Sequence, residues 1–386
     1  MTILAFVLVL LAPALFVYAY VVYPALLWLL SLGVRRKRET VEVDWPSVTV
    51  TVPVYNEERN MRNKLEELLQ LDYPAEKLQI LVISDASTDA TDRIVGEYAT
   101  RGVELLRLES RRGKTAAENA AGRVARGSII VNNDATVRIP VHALKALVRV
   151  FVDPTIGVAS GRDVSVGTGE SNQSESQYVG YEMWLRSLET NLGSIVGASG
   201  CFYGIRASIY NSRFPEELSR DFASALIARS HGLRAVSVAD AICLVPRATA
   251  LQTEFRRKVR TMARGLETLW QWRRMLNPLS YGVFAFMLIS HKLCRWLIYL
   301  LAPLTFVGLA MLSSSSMIGA ILLSIAALGV LIAVFSWYRA QQRPRMNRLE
   351  SLLAFTLVCV CAGFLAWMKV FRREQSPIWE PTRRPA

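Results

Sequence analysis

Histidine and cysteine are scarce in this 386-residue chain, with three His (142, 231 and 291) and five Cys (201, 243, 294, 359 and 361). The histidines are far apart and no two cysteines have metal-ligand spacing, so neither residue type points to a zinc site. An odd, scattered set of cysteines reads as reduced thiols and not as a disulfide framework. The chain shows no repeats, and its low-complexity content is limited to "SSSS" at 313–316. Charge is missing altogether from residues 2–34. About 20 apolar residues cross a bilayer, so this run suits one tilted or kinked helix. Pro13 and Pro24 are tolerable inside such a helix. The run lacks the basic start of a secretory signal and is too long for one, which predicts a retained membrane helix over 1–34.

"RRKR" at 35–38 follows, and basic residues favour the cytoplasmic side, so the N-terminus is expected outside. The net charge of +13 gathers beside apolar runs. That placement predicts anionic lipid headgroups and no nucleic acid as partner. Residues 35–250 read as a cytoplasmic α/β domain in which strands alternate with helices: "SVTVTVPV", "LQILVISDAS", "GVELLRLES" and "GSIIVNNDAT" as strands, with helical spacing between them. Continuous apolar strands predict a parallel sheet covered on both faces. Residues 251–292 begin with a run of Arg and Lys mixed with Phe255, Trp270 and Trp272, the pattern of a basic amphipathic segment in a membrane surface. His291, Lys292 and Arg295 interrupt the next apolar run. Charges at a span's centre are costly, so 279–292 is assigned to the interface and 293–372 to about three further spans, followed by a basic tail, 373–386. Four spans starting outside would end outside, whereas the basic tail favours the inside, so the side of the C-terminus stays open.

In an open parallel sheet ligands bind beyond the carboxyl ends of the strands. Three strand ends here carry acids: "PVYNE" (53–57), "SDASTD" (84–89) and "NNDAT" (132–136). Pro53 has no amide to donate and ends pairing on one side of its strand. Tyr55 offers a ring or hydroxyl, Glu57 an acceptor, and Asn56 a helix cap. Asp85 follows its apolar run directly, where a capped turn and a base or ribose acceptor are both open readings. "RRGKTAA" lacks the first glycine of a Walker loop but opens a helix with Gly113 and Lys114, suited to phosphate oxygens. Asp134 can hold a divalent cation that bridges a diphosphate.

Together these residues resemble the nucleotide-binding half of the family 2 glycosyltransferases. The frame of membrane spans is similar to that of the hyaluronan, chitooligosaccharide and poly-N-acetylglucosamine synthase group. The resemblance covers roughly 48–300 and implies a GT-A-like nucleotide-sugar domain inserted between transmembrane helices. It implies a UDP-sugar donor gripped by Pro53, Tyr55, Asn56, Glu57 and Asp85, with Lys114 and Asp134 at the diphosphate and Mg²⁺ or Mn²⁺ on Asp134. The family's Asp-x-Asp motif stands here as Asp134-Ala135-Thr136, one acid short. "VGASGCFYGIR" looks like the acceptor loop, with Gly197, Ala198 and Gly200, and "SRDF" places Asp221 as general base. Arg257 and Arg260 fall where related polymerases carry Gln-x-x-Arg-Trp, and are expected at the diphosphate; the motif's Trp is Thr261 here. The implied activity is inverting transfer from a UDP-sugar to a growing polysaccharide or lipid-linked glycan, by a multi-pass protein of a bacterial-type inner membrane. Addition of a single sugar to a lipid, and a non-catalytic nucleotide-binding scaffold, are the alternatives.

Overall fold

A strand buried on both faces needs apolar side chains in succession, and the first strand, β1 (Val48–Val54), is buried at all seven positions. The computed structural model describes residues 2–33, 44–166, 173–210, 213–246, 251–342 and 348–374. The "RRKR" run at 35–38 and residues 375–386 of the basic tail lie outside them. The chain divides into two compact units: Met1–Leu32 with Thr168–Tyr178 and Ala248–Ser376, and Gly33–Gly167 with Val179–Arg247 and Pro377–Ala386.

The second unit is built on a seven-stranded sheet. Its strands are β1, β2 (Leu78–Ser84), β3 (Val103–Arg107), β4 (Ile129–Asn133), β5 (Ile156–Val166), β6 (Phe202–Arg206) and β7 (Arg234–Pro246), in spatial order β3-β2-β1-β4-β6-β5-β7. The four strands read from sequence pair in parallel. The sheet as a whole is mixed, because β6 runs antiparallel to both β4 and β5. The all-parallel expectation rested on the four helix-linked strands up to β4; β6 is not among them, and although helix Gln173–Asn191 separates it from β5, the two strands pair antiparallel. This reversal matters for the site: it sets the amino end of β6 beside the carboxyl end of β4, with Asn133 opposite Phe202.

The helices of this unit are α1 (Glu58–Leu69), α2 (Thr91–Gly96), α3 (Lys114–Val124), α4 (Ala143–Arg149), α5 (Gln173–Asn191, whose first residues belong to the other unit) and α6 (Arg220–Ser230). Met61, Leu65 and Leu68 of α1 pack with Val50, Val52 and Leu144 in the main core. Ala117 and Ala121 of α3 cover Leu81 and Ile83 on the opposite face. Alanines let a helix lie close to a sheet, which is why α3 is Ala-rich. Pairing of β1 with β4 stops at Thr51, while pairing with β2 runs on to Val54. Pro53 therefore sits where one side of the strand is already unpaired.

Among the described residues of the first unit, four helices are long and apolar enough to cross a membrane: Thr2–Ser31, Val283–Ser313, Met317–Arg339 and Leu349–Phe371. The sequence reading divides 279–292 from 293–313, but the helix continues from Val283 through a π-helical turn at Ile289–Leu293. A second π-turn, Tyr18–Val22, interrupts the N-terminal helix. Tyr18 Oη and Ser290 Oγ are hydrogen-bonded at 2.8 Å, and the Arg295 guanidinium lies over the Tyr20 ring, 4.4 Å from its centroid. His291 and Arg295 are both buried. Turning these polar groups toward neighbouring helices is how an apolar span accommodates them.

Candidate active site

β1 and β2 deliver the first wall. After Val54 the chain turns through Asn56, whose φ is +53°, in the left-handed region that asparagine tolerates better than most residues. Asn56 does not cap α1. Its side-chain oxygen accepts from the Thr88 amide (2.8 Å), which ties the β1 turn to the β2 turn. The start of α1 is served by Asp89, whose Oδ2 accepts from the Glu58 amide (3.1 Å). Glu57 is buried and accepts from Asn60 Nδ2 at 2.8 Å. Tyr55 stays partly exposed under the Arg111 guanidinium, 3.9 Å from the ring centroid, a cation–π pair that the sequence reading missed.

Asp85 is fully buried. Its Oδ1 accepts from the Arg112 amide (2.8 Å) and its Oδ2 from the Gly113 amide (2.7 Å), two charge-assisted bonds that pin the loop leading into α3. Gly113 has φ +95°, so the turn that these bonds hold is one only glycine adopts easily. That turn aims Lys114, the first residue of α3. Lys114 Nζ donates to Asp134 Oδ1 (2.5 Å) and to the Gly200 carbonyl (2.9 Å), and lies 3.9 Å from Glu118 Oε1. Burial alone would lower the Lys114 pKa, but Asp134, Glu118 and Asp221 outweigh it and raise it, so the ammonium stays charged.

Asp134 comes from the end of β4, and its amide donates to the Cys201 carbonyl (3.1 Å) across the reversed strand β6. The same reversal carries the 197–200 loop to this edge. The Ala198 amide donates to the Asp221 carbonyl oxygen (3.2 Å). A methyl group added at Gly200 would lie 2.6 Å from Asp221 Oδ2. Asp221 stands in the first turn of α6, where the helix dipole favours a carboxylate, and its Oδ1 accepts a short hydrogen bond from Ser219. Gly200→Ala is therefore expected to displace the Asp221 carboxylate.

So Lys114, Asp134, Gly200 and Asp221 meet at one edge of the sheet, with Gly197 buried in the same loop and Asp85 behind it. Arg257 and Arg260 lie in the other compact unit, on helix α7 (Leu251–Gln271). There Arg257 makes a two-pronged ion pair with buried Glu254 (2.6 and 2.8 Å), and Lys258 joins at 3.2 Å. Burial would raise the Glu254 carboxyl, but these cations hold it down to about 2. Among the described residues no group of three or more His, Cys, Asp or Glu is arranged to hold a metal ion. Magnesium-type sites commonly use one or two carboxylates with substrate phosphates, and Asp134 fits that mode, not an all-protein cage.

The mixed sheet, with acids and a lysine gathered at the carboxyl edge of its parallel strands, is the arrangement that the comparisons with known proteins address. Residues 49–214 match the family model described as glycosyl transferase family 2. It is 27% identical over 223 residues to an N-acetylglucosaminyltransferase of Rhizobium sp. (strain N33), covering 52% of this chain and 48% of that protein. It is 26% identical over 167 residues to a beta-monoglucosyldiacylglycerol synthase of Nostoc sp., covering 42% of this chain and 36% of that protein. The chain thus spans about half or less of the length of these relatives. The fold is similar to that of a mannosyltransferase from Pyrobaculum calidifontis solved with GDP-Man and Mn²⁺, with a TM-score of 0.72 and 23% identity over 95% of this chain and 99% of that one.

Proposed function

We propose that this protein is an inverting glycosyltransferase that moves a sugar from a UDP-sugar to a growing polysaccharide or lipid-linked glycan at a bacterial-type inner membrane, with the sheet domain on the cytoplasmic side. The observation that carries the reading is the meeting of Lys114, Asp134, Gly200 and Asp221 at the sheet edge where α/β domains bind ligands. Tyr55 under Arg111 and the loop held by Asp85 form the nucleotide side. Gly197, Ala198 and Gly200 leave room for an acceptor hydroxyl to approach Asp221. Asp221 takes the hydroxyl proton as the oxygen attacks the anomeric carbon. The bond from that carbon to the diphosphate oxygen breaks on the opposite face, and the nucleoside diphosphate leaves with the electron pair. Lys114, held charged, stabilises that leaving group. Mg²⁺ or Mn²⁺, when bound on Asp134 and the donor phosphates, would supply further charge neutralisation.

Asp134→Ala should abolish the manganese dependence of UDP binding in calorimetry; binding that still responds to manganese would remove Asp134 from this role. The likeness to a diacylglycerol glycoside synthase supports a second reading, transfer of a single sugar to a lipid. Thr261 in place of the polymerase tryptophan supports it too. Purified protein supplied with labelled UDP-N-acetylglucosamine, UDP-glucose, UDP-galactose or GDP-mannose, and with diacylglycerol or oligosaccharide acceptors, separates the readings by product length. A ladder of products supports the polymerase, and a single-addition product ends it.

A further inference from the structure

Behind the site lies a buried charge couple that the mechanism above does not use. Glu118 stands one turn after Lys114 on α3, and Arg220 immediately precedes Asp221 on α6. Their side chains are 3% and 4% exposed, and Arg220 Nε lies 3.5 Å from Glu118 Oε2. The other oxygen of Glu118 faces Lys114 Nζ at 3.9 Å. Arg220 also donates to Asn119 Oδ1 and is sandwiched by the rings of Tyr210 (4.6 Å) and Phe214 (4.8 Å). Asn119 in turn donates to the Phe214 carbonyl (2.7 Å), and Tyr210 Oη to the Glu118 carbonyl (2.9 Å). An acid and a cation this deeply buried are expensive to desolvate, and a well-packed apolar pair would serve stability as well or better. Their geometry serves a different end: one carboxylate spans the two helices whose first turns carry Lys114 and Asp221.

We propose that Glu118 and Arg220 are positioning residues that fix the donor-side lysine and the acceptor-side base relative to each other. The proposal rests on the transferase reading and adds a coupling between its two halves. Asp221 stands near Lys114 and Glu118 from α3 and Tyr203 from β6, with Ser219 donating to its carboxylate, Arg220 next to it in the chain, and Asp134 on the Lys114 ammonium. Tyr203 is held neutral, its pKa raised by burial, and Glu118 is pushed up by burial against the pull of Lys114 and Arg220. Removing a nearby acid favours a carboxylate's ionised form, and removing a nearby cation disfavours it.

The test is the pH profile of kcat/KM for nucleoside diphosphate release by the full-length protein and three variants. Glu118→Gln should move the acidic limb to lower pH and Arg220→Gln to higher pH, and the double variant should return it close to the wild-type position. In all three kcat should fall about tenfold, as a loosened base predicts. Limbs that do not move, or that move the same way in both single variants, overturn the proposal. If a single variant does not fold, the double variant, which buries no lone charge, decides: wild-type kcat there overturns the proposal, and a tenfold loss supports it. Wild-type protein that releases no nucleoside diphosphate sinks the transferase reading and this proposal with it. Turnover with unmoved limbs sinks the proposal alone.

Discussion

Asp221→Asn removes turnover while leaving the nucleotide bound. The substitution keeps the side chain's shape and its place in the first turn of α6 beside Gly200, and removes the carboxylate proposed to accept the acceptor's proton. General-base catalysis contributes about 10²- to 10⁴-fold, so kcat should fall by that order. UDP affinity should hold, because the groups assigned to the nucleotide stand on the β1, β2 and α3 side. Steady-state kinetics with calorimetry on the same samples checks both halves. A parallel loss of UDP binding would make Asp221 a structural residue and not the base.

Asp85→Asn gives the second large effect, and its cause is indirect. Both Asp85 oxygens accept backbone amides, from Arg112 and Gly113. An amide side chain has one oxygen, so one N–H of the loop would face an NH₂ group in a buried place. Losing a hydrogen bond to a charged group there costs about 2 kcal/mol, roughly 30-fold in affinity for a donor that needs the loop in place. Calorimetry with UDP should show that weakening, and hydrogen exchange should show faster opening of the 108–114 segment. Unchanged exchange with weakened binding would instead mean that Asp85 touches the nucleotide directly.

How far these features could be read from the sequence depends on how local their causes are. β1, β2 and β4 announce themselves because a sheet covered on both faces demands unbroken apolar runs, and the acids that end them stand out against those runs. Glu118 was invisible for the opposite reason: inside "KTAAENAAGRV" an acid four residues after a lysine reads as an ordinary surface pair, and only the arrival of Arg220 from a hundred residues away buries it. The stacking of Arg111 on Tyr55 joins two loops distant in sequence, and nothing in either predicts it. The direction of β6 was equally hidden, since the helix between β5 and β6 suggests a parallel crossover, yet the two strands pair antiparallel. Yet that direction brings Gly200 to Lys114. Asn56 shows a local rule overridden: its type suits a helix cap, but the left-handed turn points its side chain at Thr88 instead.

In the proposed arrangement one sheet edge holds a nucleotide-sugar donor against a base on Asp221. Nucleoside diphosphate release, measured for wild-type protein and Asp221→Asn side by side across a panel of UDP- and GDP-sugars with membrane lipid present, probes it. Release from at least one donor by the wild type and its loss in the variant are expected. Equal release by both proteins, or none from any donor, would contradict it.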